Sequence, residues 1–315
     1  LMINNNFNWE KIGFIYKPKN ESDLWLSHSM APAPIIINNS TIRIFMGGWD
    51  SNQVSRIYFI DVDSDNPRNV KKIAQLPILE VGEDGCFDDN GVFPAHVYRH
   101  GEYIYLYYTG FQKLKKIAFS NFGGLAISRD NGDTFERVSK APVMDRQDEG
   151  LYTRAGTSIL VKNRVFHTCY SVGNSWMFVK GKERPVYSVN YIVSKDGKSF
   201  GNLGKEIISI DPNVEHGLGR PQICEFKDFI LVFYTRRFIN NKYGMGVALS
   251  SDFKNWERID HWLDPISHGP HGDFDSDMVY FPAFIDTGKN QFLFYNGNGY
   301  GKDGFGFAQL KRKNN

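Results

Sequence analysis

The chain has 315 residues, and its 37 Lys and Arg against 35 Asp and Glu give a formal net charge of +2. A charge this close to zero predicts no general attraction to nucleic acid or to an anionic membrane surface. Hydrophobic residues make up 41% of the chain, which is enough for a packed core, yet no stretch is long enough to span a bilayer. The three cysteines, Cys86, Cys169 and Cys224, fit neither a disulfide framework nor a zinc site. The amino-terminal segment lacks a secretory pattern, so we expect a cytoplasmic protein without membrane insertion.

Two series of residues recur at nearly equal intervals along the chain. The first series ends runs of aromatic and β-branched residues with a glycine or a small polar residue, at Gly47, Thr109, Ser171, Thr235 and Asn296, with intervals of 62, 62, 64 and 61 residues. The second series precedes the first, at Pro34, Pro94, Thr157, Pro221 and Pro282, with intervals of 60, 63, 64 and 61 residues. Two series in register indicate five copies of one unit.

Each unit is predicted to contain four strands. A short apolar run follows each member of the second series, and an aromatic strand such as residues 103–108 or 229–234 comes next. A third strand begins near glycine, as in residues 123–128, and a fourth follows a turn rich in Asp and Gly, as in residues 134–138. This pattern predicts an all-β fold, a five-bladed β-propeller with four-stranded antiparallel blades, in a single domain of residues 1–315.

The two ends of the chain predict how the ring closes. The fifth unit stops after its third strand, residues 305–310, while residues 6–12 are similar to residues 253–259, the fourth strand of another unit. We therefore expect residues 6–13 to complete the last blade and close the ring, which pairs an otherwise open sheet edge. A β-sandwich or a β-helix would not explain this borrowed strand.

Polar and aromatic side chains cluster in the loops that enter the innermost strand of each blade or join its second and third strands. These loops share one face of a propeller, so we expect a ligand-binding funnel there. Trp faces stack on sugar rings, and Arg forks bind phosphate and carboxylate groups. The predicted substrate-binding residues are His28, Ser29, Trp49, Asp88, Arg154, Trp176, His216, Arg220, Arg236, Asn296, Asn298 and Lys302.

Four carboxylates of the same funnel are the candidate catalytic residues: Asp89, Glu215, Asp275 and Asp277. Carboxylates can supply acid–base or glycosyl chemistry. The alternatives are structural: the aspartates can cap turns, the histidines can be hydrogen-bonded within the fold, and Arg220 can hold two blades together by an ion pair. The alternating aspartates of residues 61–65 and 273–277 could hold calcium, but solvated turns are the favoured interpretation. We predict no metal and no cofactor.

Several motifs resemble a group of bacterial glycosidase-like five-bladed propellers that occur with O-antigen or capsule assembly genes. The motifs are residues 87–94 (FDDNGVFP), 219–223 (GRPQI), 275–279 (DSDMV) and 294–301 (FYNGNGYG). The resemblance covers nearly the whole chain, and a more distant one extends to the arabinanase, invertase and mannoside phosphorylase propellers. It implies a role in the synthesis of surface polysaccharide.

The chain departs from the arabinanase pattern of an Asp in the first blade, an Asp in the second and a Glu in the third. The first blade has Ser29 at that place, the second keeps Asp89, and the third has Tyr152, with Glu149 just upstream. An inverting hydrolase needs two carboxyl groups across the scissile bond.

The basic residues of the funnel instead favour an anionic substrate. We therefore predict an enzyme that cleaves or transfers a glycosyl group of an anionic or nucleotide-activated sugar. A carbohydrate-binding propeller without catalysis and a scaffold of a polysaccharide-assembly complex are the alternatives. The predicted partner is the sugar or nucleotide-sugar substrate, and the sequence does not determine the oligomeric state.

Overall fold

The computed structural model describes residues 7–311, and these residues form an almost entirely β structure. The strands are β1 (Trp9–Tyr16), β2 (Ser27–Asn38), β3 (Thr41–Trp49), β4 (Ser55–Asp63), β5 (Val70–Ile73), β6 (Val92–His100), β7 (Tyr103–Lys113), β8 (Phe119–Ser128), β9 (Glu136–Arg137), β10 (Thr153–Lys162), β11 (Val165–Val179), β12 (Lys182–Ser194), β13 (Lys205–Ile208), β14 (Glu215–Phe226), β15 (Phe229–Phe238), β16 (Tyr243–Ser250), β17 (Glu257–Arg258), β18 (Tyr280–Asp286), β19 (Gln291–Asn296) and β20 (Phe305–Leu310). A 3₁₀ segment, Asp260–Ile266, and a short helical turn, Asn298–Gly301, complete the secondary structure of the described residues.

Neighbouring strands pair antiparallel in groups of four, as the repeat predicted. Group 1 is β2–β5, group 2 is β6–β9, group 3 is β10–β13 and group 4 is β14–β17. Group 5 has the order β1-β20-β19-β18, so the amino-terminal strand lies at its outer edge, where Trp9 pairs with Leu310. The predicted closing segment started at Asn6, which lies outside the described residues.

The first strands of the groups lie side by side around a common axis. Strand β2 contacts β6, β6 contacts β10, β10 contacts β14, β14 contacts β18, and β18 contacts β2. Groups 2, 3 and 4 are also linked by short parallel pairings, of β8 with β10 and of β12 with β14. Apolar side chains pack between adjacent groups, for example in the cluster that contains Phe233 of β15, Phe284 of β18 and Leu293 of β19.

The four small polar residues that end the aromatic runs connect their groups to the next by hydrogen bonds. Each accepts a hydrogen bond from a backbone amide in the first strand of the following group: Gly156 N to Thr109 Oγ1 (3.2 Å), Arg220 N to Ser171 Oγ (2.9 Å), Phe281 N to Thr235 Oγ1 (2.9 Å) and Ala31 N to Asn296 Oδ1 (2.6 Å). Gly47 of group 1 has no side chain to do this, and Ser55 Oγ donates to Val92 O instead (2.8 Å). The repeat seen in the sequence therefore marks bonds between groups.

Each of these four amides belongs to a residue with left-handed backbone conformation. Ala31, Gly156, Arg220 and Phe281 have φ of 58°, 66°, 43° and 53°, and each lies where its strand loses register with the next, as at a β-bulge. Three of them precede a proline, and in group 1 that proline is Pro32. The structural equivalent of Pro221 and Pro282 is therefore Pro32, two residues before the Pro34 that the spacing suggested.

Candidate functional site

An open cavity of about 260 Å³ lies at one end of the common axis, and we name it the outer cavity. Aromatic and polar side chains form its wall: Met30, Trp49, Gln53, Ser55, Asn90, Gly91, Phe93, Phe111, Lys113, Asn121, Arg237, Phe281 and Tyr300. These residues come from groups 1, 2, 4 and 5 and from the loops beside them, in line with the predicted funnel. The wall holds two cations, Arg237 and Lys113, and among residues 7–311 it contains no carboxylate.

A smaller cavity of about 50 Å³ continues toward the axis, and we name it the inner cavity. It shares Phe93, Asn121, Arg237 and Phe281 with the outer cavity. The rest of its wall is Thr109, Thr153, Ala155, Gly156, Ser171, Tyr187, Gly219 and Arg220. Gly156 is left-handed, and a Cβ there would lie 3.2 Å from Arg220 Cα, so a side chain at this position would crowd the wall.

Arg237 is the cation that faces both cavities. Its guanidinium lies 4.6 Å from the ring centre of Tyr187 and 5.7 Å from that of Tyr243, a cation–π arrangement. Burial disfavours the charged form, but the neighbouring Tyr243, Tyr187 and Tyr300 outweigh it, so the pKa of Arg237 is raised. No carboxylate of residues 7–311 forms an ion pair with Arg237, and its Nε is buried without a hydrogen-bond partner. A buried donor in this state has the free capacity that an anionic ligand would use.

Trp49, a predicted substrate-binding residue, forms an aromatic wall of the outer cavity. The ring of His28 stacks on it with 3.8 Å between ring centres, and His28 Nδ1 lies 2.8 Å from Ser27 Oγ. Burial, and then the charge of Lys302, lower the pKa of His28 to about 4. His28 is therefore neutral at neutral pH and supports the indole face rather than carrying charge.

Trp176 belongs to an aromatic row beside the outer cavity. Its ring lies 4.8 Å from Tyr152 and 6.2 Å from Phe119, and Phe119 lies 5.4 Å from the wall residue Phe111. The row leads from the cavity along the long β11–β12 hairpin. A row of aromatic faces at a cavity mouth can stack on successive sugar rings.

Several predicted site residues lie inside the groups of strands. In three groups, a carboxylate accepts a hydrogen bond from the tyrosine that directly precedes Thr109, Ser171 or Asn296. Tyr108 donates to Asp88 (3.1 Å), Tyr170 to Glu149 (2.6 Å) and Tyr295 to Asp275 (3.1 Å). A cation completes the arrangement, as in Arg137 with Asp88 (2.9 Å), Arg154 with Glu149 (2.9 Å) and Lys11 with Asp275 (2.6 Å). Asp88, Arg154 and Asp275 are thus paired within single groups, which favours structural roles, although Asp88 Oδ1 is buried without a hydrogen-bond partner in the described structure.

Glu215 occupies the same place in group 4 and has no exposed surface. It receives hydrogen bonds from Arg236 Nε (2.5 Å) and from Arg258 (2.7 Å), and Tyr234 donates to the neighbouring Asp260 (2.6 Å). Burial pushes the pKa of Glu215 upward, but these bonds outweigh it and lower that pKa. A carboxylate held ionised in this way is poorly suited to act as a proton donor at neutral pH, and Arg236 faces this network instead of the cavity.

The side chains of Asp89 and Asp277 belong to neither described cavity wall. Asp89 directly precedes Asn90 and Gly91 of the outer wall, and its Oδ2 accepts from Gly85 N (2.9 Å). Its Oδ1 is buried without a hydrogen-bond partner in the described structure. The side chain of Asp277 is exposed, while its backbone amide donates to Asn298 Oδ1 (2.8 Å).

Arg220 lies on the axis and contacts three other groups. Its guanidinium donates to five backbone carbonyls, those of Ala31, Pro32, Pro94, Phe281 and Pro282, at 2.6–3.4 Å. Burial lowers its pKa, and no ion pair with a carboxylate of residues 7–311 offsets that. Five satisfied donors leave little capacity to clamp a ligand, so its contacts favour a structural role without the ion pair that the sequence suggested.

The remaining predicted residues support the loops around the cavities. Asn296 donates to Ser29 O (2.7 Å), and Asn298 Nδ2 donates to Asp273 O (2.9 Å). His216 Nδ1 lies 3.3 Å from Pro185 O, and burial, then Arg237 and Arg184, lower its pKa to about 4. The side chain of Lys302 is exposed, and its charge acts on His28.

No group of three or more His, Cys, Asp or Glu in residues 7–311 is placed to hold a metal ion. In the sequence 61–65, Asp61 pairs with Arg43, Asp63 with Lys71, and Asp65 with Lys289. Within the same part of the chain, no helix is both long and apolar enough to cross a membrane.

The sequence offers both Arg236 and Arg237 after the fourth aromatic run, and strand alternation separates the two. Side chains two residues apart share one face of a strand, so Arg237 must lie on the same face as Thr235, which points to the next group. Trp49 follows Gly47 by two residues, and Phe111 follows Thr109 by two residues, as Arg237 follows Thr235. Trp49, Phe111 and Arg237 all line the outer cavity. The residue before it, Arg236, faces its own group.

Comparison with known sequences finds no matching protein-family model. The chain is 28% identical over 305 residues to the uncharacterized protein Rv1502 of Mycobacterium tuberculosis, and the alignment covers 96% of this chain and 99% of that protein. A shorter alignment of 137 residues is 31% identical to a 1,2-β-oligomannan phosphorylase of Thermoanaerobacter, covering 41% of this chain and 45% of that protein.

Comparison with solved structures finds several that share this fold. A glycosyl hydrolase of Bacteroides ovatus matches 98% of this chain and 95% of its own with a TM-score of 0.72 and 15% identity. The β-1,2-mannobiose phosphorylase of Listeria innocua matches 90% of this chain and 88% of its own with a TM-score of 0.65 and 13% identity. These likenesses establish a shared all-β fold.

Proposed function

We propose that this protein is a glycosidase-like enzyme that cleaves or transfers a glycosyl group of an anionic sugar bound in the outer and inner cavities. The five groups of strands are the blades of a single five-bladed β-propeller domain, which β1 closes. The similarity to a glycosyl hydrolase and to two phosphorylases supports the reaction class. The observation that carries the proposal is the guanidinium of Arg237, which faces both cavities without a carboxylate partner among residues 7–311.

The substrate class follows from the charge of the cavity walls. A hydrolase with two catalytic carboxylates needs both of them across the scissile bond, and the described walls contain none. A glycosyl phosphate or a nucleotide-activated sugar carries its own good leaving group. Such a substrate also matches the two cations of the outer wall, and its use fits the synthesis of surface polysaccharide in the cytoplasm.

One carboxylate suffices for this reaction, and Asp89 is our candidate. Asp89 would take the proton of the attacking hydroxyl, of water or of a sugar, as that oxygen bonds to the anomeric carbon. The bond from the anomeric carbon to the phosphate oxygen breaks, and the electron pair leaves with the phosphate group. Arg237 stabilises the negative charge of the departing phosphate.

The test is turnover of a panel of glycosyl phosphates, nucleotide sugars, acidic sugars and neutral oligosaccharides, followed by NMR. We expect an anionic member of the panel to react, and Asp89→Asn to lower kcat by about a hundred-fold or more without unfolding the protein. Asp277→Asn, which alters an exposed carboxylate of the same funnel, is the matched control and should retain activity. Full activity of Asp89→Asn would overturn the role of Asp89, and turnover of neutral sugars alone would overturn the anionic substrate.

A carbohydrate-binding protein without catalysis is the second candidate, because the described cavity walls lack a carboxylate. It predicts binding of a sugar by the native protein, loss of that binding in Trp49→Ala, and no turnover of any member of the panel. The same NMR experiment separates the two candidates, since binding and turnover are observed on one sample.

A further inference from the structure

The inner cavity is lined by hydroxyl groups whose hydrogens remain available. Thr109 Oγ1 and Ser171 Oγ each accept a backbone amide, from Gly156 and Arg220. Because an oxygen that accepts still carries its own hydrogen, both hydroxyls can donate. No acceptor for either hydrogen lies within bonding distance among residues 7–311. Both side chains are buried, at 2% and 5% exposure, so any ligand they bind must enter the cavity.

The charge around this cavity has one sign. Arg237 and Arg220 both belong to its wall, which contributes no carboxylate in the described structure. Positive charge and oriented donors on buried side chains interact more strongly with an anion than they would at the surface, because less solvent screens them.

The size of the inner cavity restricts the ligand. A single water needs about 10–15 Å³ of such a cavity, so the 50 Å³ of the inner cavity holds about four oxygen-sized atoms. A tetrahedral oxyanion has this size, and its oxygens accept hydrogen bonds in several directions, as the separate wall positions of Thr109, Ser171 and Arg237 require. A sugar ring is too large and fits only the outer cavity of about 260 Å³.

We propose that the inner cavity is a subsite for a tetrahedral oxyanion, either free phosphate or the phosphoryl group of a sugar phosphate, bound by Thr109, Ser171 and Arg237. The sugar then occupies the outer cavity against Trp49. This inference rests on the proposed function, which places the substrate in the two cavities. It assigns the phosphoryl group to the inner cavity and the sugar to the outer cavity. Thr109 and Ser171, which connect adjacent groups of strands, would therefore also bind the oxyanion.

The test compares two threonines that make the same bond between groups. Thr109→Val and Thr235→Val each remove one hydroxyl that accepts an amide of the next group, but only Thr109 lines the inner cavity. Calorimetry would measure binding of inorganic phosphate and, separately, of a glycosyl phosphate to the native protein and both variants. We expect Thr109→Val to weaken phosphate binding by about ten-fold or more, as loss of a hydrogen bond to a charged group does. Thr235→Val should bind phosphate as the native protein does, with a similar loss of stability.

Each outcome decides the inference. Equal affinity of the two variants for phosphate would overturn it, and so would binding of the glycosyl phosphate that is lost in Arg237→Gln but unaffected by Thr109→Val. Binding of inorganic phosphate identifies a free oxyanion as a ligand, while binding of the glycosyl phosphate alone assigns the subsite to the sugar's own phosphoryl group. If neutral sugars bind and react while neither phosphate ligand binds, the subsite is wrong and the glycosyl-processing function stands.

Discussion

Arg220 shows how little a residue type reveals about its role until its contacts are known. From the sequence it was an anion clamp or half of an ion pair, yet its guanidinium donates to five backbone carbonyls from groups 1, 2 and 5, while its own amide bonds to group 3. Arg220 of group 4 therefore joins all the other groups at the axis, three through its side chain and the fourth through its backbone amide. A buried cation without a carboxylate is tolerated here because every N–H has an acceptor.

We predict that Arg220→Met lowers the free energy of unfolding by more than about 3 kcal/mol, because it leaves several buried carbonyls without a donor. Urea denaturation would measure this, with Arg99→Met as the control. Arg99 also donates to a carbonyl, that of Ile36, but it is exposed, so its loss should cost no more than about 0.5 kcal/mol. A stable Arg220→Met that no longer binds phosphate would restore the anion-clamp interpretation.

In the aromatic strands β7 and β15, nearby residues have three different roles: one bonds within its own group, one bonds to the next group, and one lines the outer cavity. In β7, Tyr108 points into its own group toward Asp88, Thr109 bonds to the next group, and Phe111 reaches the outer cavity. Strand β15 repeats this order with Tyr234, Thr235 and Arg237. The alternation of a β-strand thus assigns successive residues to stability or to the cavity.

The place of Glu215 in this pattern leads to a prediction about its role. Glu215→Gln should lower the free energy of unfolding by about 3 kcal/mol, because it breaks a buried network with two arginines, while turnover per folded molecule stays unchanged. Glu225→Gln is the control, since Glu225 pairs with Lys162 at the surface and such pairs contribute about 1 kcal/mol or less. If Glu215→Gln kept its stability and lost turnover, Glu215 would be a catalytic residue as the sequence suggested.

At the scale of the whole molecule, the outer strand of group 5 comes from the opposite end of the chain. Strand β1 pairs with β20 along most of its length, and its Trp9 packs in the same apolar cluster as Phe233 and Phe284. Without β1, the edge of β20 would be unpaired and this cluster exposed. The proposed ring would then be held together by fewer contacts at one position.

We therefore predict that a chain starting after Tyr16 melts at a lower temperature and less cooperatively than the native protein, as measured by circular dichroism. A permuted chain that carries residues 7–16 after Leu310, joined by a flexible linker, should recover the native melting temperature, because the strand can still reach its place. An unchanged melting temperature in the truncated chain would show that β1 is dispensable for closure.

The sequence by itself determined the all-β class, the repeat of four strands and the pairing of the amino-terminal strand with the last group. These features follow from local patterns, namely the period of the aromatic runs, the turn residues and the spacing of the small polar positions. The sequence also predicted Trp49 as a substrate-binding residue, and the structure places Trp49 in the wall of the outer cavity.

Only the tertiary structure decided the surroundings of each of two adjacent polar residues. Asp88 lies in a buried ion pair while Asp89 lies beside the outer wall, and Arg236 faces Glu215 while Arg237 faces both cavities. Asp88 and Asp89 lie in a turn, which has no regular alternation, and along a strand the alternation separates Arg236 from Arg237 without showing which of the two faces the cavities. The carbonyls around Arg220 come from residues up to 189 positions away, and no pattern along the chain brings them together.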